Sequence, residues 1–154
     1  MRRDAKGMVD VGGKEIVFRE AVAEGAIRLR PETIKLLKKG LVEKGDVWTS
    51  ARIAAAIAAK QTPMLIPYTH PIPLDWVGLE YSIEEDLVKV RVTVRAHWRT
   101  GVEMEALSGA AGALLTIWDM VKKYEKDSQG QYPYTRIDYI RVLKKVKRGS
   151  GELE

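Results

Sequence analysis

The sequence predicts an α+β fold in which an antiparallel sheet is covered by helices. Apolar and polar residues alternate over 77–83 and again over 88–98, and the acidic run 84–86 separates the two segments, which indicates a hairpin with one buried and one solvated face. Residues 103–126 have the apolar spacing of a helix. The predicted order is strand, helices, strand, strand, helix, strand, which is typical of a ferredoxin-like sandwich.

The first 60 residues predict one strand followed by two helices. Residues 15–30 are expected to be extended, because apolar and arginine residues alternate toward the end of this segment. Pro31 suits the first turn of a helix, and Gly40 ends that helix. Asp46 is expected to cap a second helix, whose alanine-rich part at 51–60 permits another backbone to approach closely.

Two further segments complete the predicted fold. Residues 61–73 hold four of the six prolines and are expected to form a rigid loop, since such a run cannot sustain a helix or a central strand. Residues 135–146 predict a last strand with weaker periodicity. Within the helix at 103–126, we expect Leu107, Leu114, Trp118 and Val121 to share the apolar side.

Length and composition indicate a single domain over residues 1–154. The chain is 45% hydrophobic and 31% charged, which is typical of a folded domain with one core. The ends, 1–7 and 148–154, are polar and without pattern, so we expect them to be flexible.

The composition also excludes several kinds of chemistry. Cysteine is absent, which excludes disulfide bonds, cysteine-ligated metals and thiol catalysis. The formal net charge of +5 favours anionic ligands such as phosphates without demanding nucleic acid. No segment approaches the roughly 18 apolar residues of a membrane span, and no apolar run of a secretory signal opens the chain. We therefore expect a cytoplasmic protein that contacts neither membrane nor nucleic acid.

Asp119 is the first candidate for chemistry. It lies between apolar residues in the predicted helix, one turn before Lys122 and Lys123. A carboxyl group in a partly apolar environment with a lysine one turn later makes an acid–base pair. The alternative is an exposed ion pair between residues three or four apart, which is common on amphipathic helices, and the residues alone favour it.

His70 is the second candidate, because prolines on both sides of Tyr68-Thr69-His70 restrict the backbone of this tripeptide. A fixed imidazole suits contact with a ligand, and the equally weighted alternative is a histidine that closes the loop by a hydrogen bond to a carbonyl group. His97 is interpreted as a surface residue. Two histidines this far apart make no metal signature, so we expect no metal ion and no cofactor.

The solvated face of the predicted hairpin is basic. It is either a phosphate site or, more commonly, solvated charge. Its residues on the second strand are Lys89, Arg91, Thr93, Arg95 and His97.

Six groups of residues form a recognisable set that spans residues 8–146. They are Met8-Val9-Asp10-Val11, Lys44-Gly45-Asp46-Val47, Ala51-Arg52-Ile53-Ala54 with Ala58-Ala59-Lys60, Leu65-Ile66-Pro67 through His70-Pro71, Thr100-Gly-Val-Glu-Met-Glu-Ala-Leu107, and Leu115-Thr-Ile-Trp-Asp-Met120. Together they resemble the molybdenum cofactor biosynthesis protein C family, the cyclic pyranopterin monophosphate synthases. The string from Thr100 to Leu107, followed a helix later by Asp119-Met120, is long and specific.

The resemblance implies a reaction and an assembly. The family converts (8S)-3′,8-cyclo-7,8-dihydroguanosine 5′-triphosphate, a purine-derived nucleoside triphosphate, into cyclic pyranopterin monophosphate with loss of diphosphate. This is a lyase step in molybdenum cofactor biosynthesis. The resemblance also implies a ferredoxin-like protomer in a homohexamer, a trimer of dimers, with active sites between subunits.

The family's functional residues carry over position by position. Asp119 matches the catalytic aspartate and Lys122 its nearby lysine, and Lys44 and His70 complete the expected catalytic set. The expected substrate-binding residues are Tyr68, Thr69, His70, Glu103, Met104, Glu105, Arg19 and Lys60.

The sequence departs from the family at two places. Many members have cysteine where Thr69 stands, so a thiol is not essential to this interpretation. The family's C-terminal Gly-Gly-Lys-Ser-Gly segment appears only as residues 147–151, which leaves Lys147 or Arg148 as the stand-in for its lysine.

The residues and the resemblance agree on mechanism at coarse grain. A triphosphate needs several cations, which Arg19, Lys44, Lys60 and Lys122 supply from different elements. The alternative function is a ferredoxin-like nucleic-acid or nucleotide-binding module without this activity. Such modules stack bases on aromatic side chains of the central strands, and the basic face of the second hairpin strand offers none.

Overall fold

The computed structural model describes residues 6–149, which form four strands and four helices. In chain order these are β1 (Val17–Arg28), α1 (Pro31–Lys39), α2 (Val47–Lys60), α3 (Thr62–Leu65), β2 (Trp76–Glu84), β3 (Leu87–Trp98), α4 (Glu103–Glu125) and β4 (Arg136–Arg148). The terminal segments expected to be flexible fall largely on residues 1–5 and 150–154, which lie outside the described residues. Arg148 is the last residue of β4.

The four strands form one antiparallel sheet in the order β2-β3-β1-β4. Ala21 of β1 lies opposite Val94 of β3 and Lys145 of β4, so β1 and β3 are the central strands. Strands β2 and β3 form a hairpin whose pairing is unbroken, from Trp76 opposite Arg95 to Glu84 opposite Leu87. The predicted α+β fold, a ferredoxin-like sandwich, is confirmed.

One face of the sheet and the helices enclose the core. Alternate residues of β3 from Val88 to Val94 are fully buried, as period-two burial requires. They pack with Ile27 of β1 and with Leu114 and Ile117 of α4. The opposite face of the sheet carries most of the charged residues of β1 and β3, such as Glu20, Glu24, Arg91 and Arg95, whereas Arg19 and Lys145 lie on the helical side.

Helices α2 and α4 pack closely because both present small residues at their contact. A methyl group at Gly112 would lie 2.8 Å from Cβ of Ala58 and 3.2 Å from the carbonyl oxygen of Ala54. At Gly109 it would lie 2.9 Å from a methyl group of Val92. The close approach expected from the alanine-rich segment therefore occurs within the protomer, between α2 and α4.

The predicted helix ends are confirmed. Gly40 ends α1 in the left-handed conformation, with φ of 67°, which glycine adopts without strain. The carboxyl group of Asp46 accepts hydrogen bonds from the backbone N–H groups of Trp48 and Thr49, both at 3.1 Å, and so caps α2.

One local expectation is corrected. Residues 61–73 are not wholly a loop, because α3 forms one turn at Thr62–Leu65. Pro63 is compatible with it, since a proline in the first helical turn lacks only an N–H group that has no helical partner.

The expected apolar side of α4 is confirmed. Leu114 and Val121 are fully buried in the core, and the half-buried Leu107 and Trp118 pack against it.

None of the helices within residues 6–149 has both the length and the apolar character needed to cross a membrane.

Candidate active site

Asp119 on α4 lies between two lysine ammonium groups. Lys122, one turn later on the same helix, is 3.1 Å from Oδ1 of Asp119. Lys44, from the loop between α1 and α2, is 3.1 Å from Oδ2 and donates a second hydrogen bond of 2.9 Å to the backbone carbonyl oxygen of Asp119. This group, Lys44–Asp119–Lys122, is called the lysine cluster below.

The charges of the lysine cluster act in one direction on Asp119. The hydrogen bond from Lys122, and then that from Lys44, hold the pKa of the Asp119 carboxyl group below its ordinary value. The side chain is 59% exposed, so the partly apolar environment expected from its sequence neighbours is wrong. The predicted ion pair with Lys122 is present, and Lys44 adds a cation that helical spacing does not reveal.

Neighbouring contacts hold Lys44 in place. Glu43 pairs with Lys123 of α4, and its backbone N–H donates a 2.9 Å hydrogen bond to Oη of Tyr124. These two contacts of Glu43 hold the loop against α4, and so they position the next residue, Lys44, beside Asp119. Sequence reasoning did not single out Glu43 or Tyr124 for this role. Their only signal is their position beside Lys44 and Lys122.

The second group of candidate residues lines a cavity of about 470 Å³ at the other end of α4. This cavity, called the tripeptide cavity, is bounded by the loop after α3, the start of α4 and the N-terminal segment 7–14. It brings together Tyr68, Thr69, His70, Glu103, Met104 and Glu105.

Thr69 and the N-terminal segment shape the tripeptide cavity. The hydroxyl of Thr69 donates a 2.8 Å hydrogen bond to the carbonyl oxygen of Ile66, which closes the turn that presents His70. Val11 and Lys14 also line the cavity, although sequence reasoning assigned them no role. Val11 belongs to the string Met8-Val9-Asp10-Val11 on which the resemblance rests, whereas Lys14 lies beyond it and has no signal in the sequence.

Glu105 is the most unusual carboxyl group of the cavity. It is 3% exposed, and burial raises its pKa from an ordinary 4.5 to about 7. The hydrogen bond to its own backbone N–H opposes this rise, and the negative charge of Glu103 adds to it. Glu103 itself is 3.3 Å from Nζ of Lys145.

Arg19 and Lys60 join neither group directly. Arg19 on β1 is 8% exposed and donates a 3.3 Å hydrogen bond to the carbonyl oxygen of Arg99, just before the turn into α4. Its Nε is buried without a partner among the described residues. Lys60 is the exposed last residue of α2, and in the part of the chain that the structure covers it has no hydrogen bond or ion pair with either group.

The two groups lie far apart within one protomer. Glu105 and Asp119 are 14 residues apart on the same helix, which corresponds to about 21 Å along its axis. His70 lies with Glu105 and not with Asp119. The sequence-derived residues therefore form two partial sites, one at each end of α4.

The basic face of the hairpin is balanced by acidic residues. Arg91 pairs with Glu24 at 3.2 Å and Arg95 with Glu20 at 2.7 Å, both glutamates being on the central strand β1. Nδ1 of His97 is 2.7 Å from a carboxyl oxygen of Asp75. This pairing favours solvated charge over a phosphate site. Aromatic residues also lie on this face: the ring of Phe18 meets His97 edge-on, the hydroxyl of Tyr139 donates a 2.9 Å hydrogen bond to Glu24, and Trp76 lies opposite Arg95.

Comparison with known proteins gives the family. The model of the MoaC family matches residues 8–148. The chain is 57% identical over 151 residues to a probable cyclic pyranopterin monophosphate synthase of Pyrococcus abyssi, covering 97% of this chain and 95% of that protein. Proteins of the same name from Sulfurisphaera tokodaii and Pyrococcus horikoshii are 61% and 56% identical, over 91% and 97% of this chain and 93% and 95% of theirs. The chain therefore belongs to the MoaC family.

Proposed function

We propose that this chain is a cyclic pyranopterin monophosphate synthase. It acts as a lyase on (8S)-3′,8-cyclo-7,8-dihydroguanosine 5′-triphosphate and forms cyclic pyranopterin monophosphate and diphosphate in molybdenum cofactor biosynthesis. The relatives that match nearly the whole chain carry this activity in their names. The structural observation that carries the proposal is the lysine cluster, where two cations flank one carboxylate on an exposed helix end.

The phosphate chemistry depends on positive charge. A sugar hydroxyl attacks phosphorus, a new phosphorus–oxygen bond closes the cyclic phosphate, and the bond to diphosphate breaks with its electron pair on the leaving group. Such reactions are accelerated mainly by alignment and by cations that stabilise the phosphate oxygens. Lys44 and Lys122 are assigned to this task at the catalytic end, with Arg19 and Lys60 as further phosphate contacts.

Asp119 organises these cations and moves protons. Its pKa is held below its ordinary value, so the carboxylate is ionised at neutral pH and is a base rather than an acid at the start of the reaction. An ionised carboxylate between two ammonium groups also fixes their positions before the triphosphate arrives. His70 and the other residues of the tripeptide cavity are assigned to the purine-derived ring system.

A complete site requires a second copy of the chain. The lysine cluster and the tripeptide cavity are about 21 Å apart along α4, so we assign each site to the lysine cluster of one protomer and the cavity of another. Exposed apolar side chains on α2 and α4, including Ile53, Ile57 and Leu115, support a protein partner on the helical layer. We propose the homohexamer, a trimer of dimers.

The nucleic-acid-binding alternative is not favoured. A module that binds single-stranded nucleic acid needs unpaired cations and stacking side chains on the open face of its sheet. Here Arg91 and Arg95 of β3 are paired with carboxylates of β1, and Lys89 of β3 is paired with Glu84 of β2, so these cations are not free for a nucleic-acid backbone.

The activity is tested by following diphosphate release from the cyclic dihydroguanosine triphosphate and by identifying the product by mass spectrometry. Absence of both would overturn the proposed function. Site sharing is tested by co-expressing two variants, Asp119→Asn and His70→Ala, that are each nearly inactive. Mixed oligomers with shared sites recover partial activity, because some sites receive both intact halves. Mixed oligomers as inactive as the parents would overturn the shared site, while sedimentation reports the assembly independently.

A further inference from the structure

Helix α4 buries two glutamates in opposite ways. Glu125, near its C-terminal end, is 0% exposed, and its carboxyl group accepts hydrogen bonds from the backbone N–H of Arg30 at 3.1 and 3.2 Å and from the hydroxyl of Thr135 at 2.6 Å. The hydroxyl of Thr33 donates a further one. Glu105 is 3% exposed, and its carboxyl group has no donor from another residue within the described chain.

A buried carboxylate without a donor or a cation is unfavourable. Removing an ionised group from water costs far more than removing a neutral one, so such a group takes up a proton instead. The rise of the Glu105 pKa to about 7 agrees with this argument from burial and contacts.

The charged and titratable groups around Glu105 do not relieve this cost. Those that line the cavity with it are Lys14 of the N-terminal segment, Tyr68 and His70 of the loop and Glu103 of α4, and the buried Arg19 of β1 contacts Arg99 near the start of α4. Glu103 is anionic and opposes a second negative charge, while its own partner is Lys145 of β4. Arg19 donates to the carbonyl group of Arg99 rather than to Glu105. None of these cations is within 4.0 Å of the Glu105 carboxyl group in the described structure.

We propose that Glu105 is the proton-exchanging group of the tripeptide cavity, protonated in the free protein in mildly acidic solution and ionised when the ligand binds. This inference deepens the proposed function and rests on it for the identity of the ligand. The ring edge inherited from guanosine presents N–H donors, which favour a carboxylate acceptor. The proton leaves Glu105 for the buffer, the ligand keeps its own protons, and binding in mildly acidic solution releases close to one proton per site, with less released as the pH rises.

The protonation state is tested without ligand by infrared spectroscopy, in which the carbonyl stretch of a protonated carboxyl group is separate from the bands of carboxylates. We compare the wild-type protein with Glu105→Gln and with the matched control Glu103→Gln over pH 5 to 9. We expect a band lost around pH 7 in the wild type, a band lost at a lower pH in Glu103→Gln because a neighbouring negative charge is removed, and no such band in Glu105→Gln. A wild-type protein without this band at pH 6 would overturn the proposal.

Proton release is tested by calorimetry of the cyclic dihydroguanosine triphosphate in two buffers of different ionisation enthalpy. Asp119→Asn serves as the background, so that the ligand is not consumed. Because the ligand binds the ionised form, linkage predicts that Kd decreases about tenfold for each unit by which the pH rises toward 7. Above pH 7 this contribution to Kd levels off. Adding Glu105→Gln removes the pH dependence of Kd that is due to Glu105. The pH dependence that remains in this variant belongs to the triphosphate itself.

The outcomes separate the two proposals. Binding that releases no more protons with Glu105 than with the Gln variant would overturn the proton exchange and leave the proposed function intact. A triphosphate that does not bind at all would overturn the proposed function and the proton release with it, whereas the infrared result still decides the protonation of Glu105. Sedimentation of each variant checks that it keeps the wild-type assembly.

Discussion

The two ends of α4 carry acidic residues whose pKa values are shifted in opposite directions. At the N-terminal end Glu105 is buried without a donor from another residue, and burial raises its pKa to about 7. At the C-terminal end Asp119 is 59% exposed, and hydrogen bonds from Lys122 and Lys44 lower its pKa. One end of the helix is therefore suited to hold a proton at neutral pH and the other to hold cations.

This difference shows how one helix serves two kinds of binding. Pairs of acidic groups whose surroundings separate their pKa values are the usual source of distinct acid and base roles. Here the separation comes from what covers each end. The N-terminal segment and the loop after α3 line the cavity around Glu105, whereas Asp119 is exposed and contacts Lys44 and Lys122.

The largest effect is expected at the exposed end. Replacing Asp119 with Asn keeps the shape of the side chain but removes the charge that holds Lys44 and Lys122, and it removes a base. We expect kcat to fall by about 10²- to 10⁴-fold with the fold and assembly unchanged, since the residue is exposed. Steady-state kinetics with Glu32→Gln as a charge-loss control checks this. Turnover within a few-fold of wild type would return Asp119 to an ordinary surface ion pair.

The next effect concerns the contribution of the buried Glu125 to the free energy of unfolding. In Glu125→Gln an amide NH2 replaces an acceptor oxygen facing donors from Arg30, Thr33 and Thr135. We expect the free energy of unfolding to fall by about 2 to 4 kcal/mol, because buried donors lose their acceptor. Denaturant unfolding at a fixed protomer concentration measures the change. A stability equal to that of wild type would mean that these hydrogen bonds contribute little.

The element pattern was largely predictable because it depends on local chemistry. The alternation of apolar and polar residues identified β3. Pro31, Gly40 and Asp46 marked helix ends through backbone and side-chain properties that hold in any surroundings. The single turn of α3 was not predictable from the same logic. A proline both breaks a helix and starts one, and only the position of Pro63 in the turn distinguishes the two cases.

The site was predictable in its residues but not in its electrostatics. Glu105 and Asp119 are only about 40° apart around α4, so helical spacing placed them on one stripe. One is buried and the other exposed, because segments remote in sequence cover only the first. The contact of Lys44 with Asp119 likewise closes a loop of 75 residues. The resemblance supplied these residues, and only the folded chain supplies their environment.

A smaller effect is expected from Glu105 on the pH dependence of stability. Its folded-state pKa of about 7 exceeds the ordinary 4.5, so the folded state binds more protons between these values. Stability contributed by the neutral form is complete below about pH 4.5 and falls by about 3 kcal/mol as the pH rises through 7. Glu105→Gln removes this component and is more stable than wild type at pH 8. Thermal unfolding between pH 5 and 8 compares the two, and parallel curves would contradict the assignment.

The smallest effect is expected at Lys60, which belongs to neither end of α4 and is assigned to phosphate alone. Lys60→Ala should raise KM by about tenfold to a hundredfold, the value of one charge-assisted hydrogen bond, with kcat little changed. The increase should diminish as ionic strength rises, because an exposed cation acts through screened charge.

Lys122→Ala is the matched comparison, since the same change there removes a hydrogen bond to Asp119 and should lower kcat at saturating substrate. Lys44, which the sequence left undecided between the two roles, should behave like Lys122 because it contacts Asp119 directly. Steady-state kinetics at two salt concentrations separates KM from kcat for all three variants. A Lys60 variant that lowers only kcat, beside a Lys122 variant that raises only KM, would reverse these assignments while leaving both groups of residues within the site.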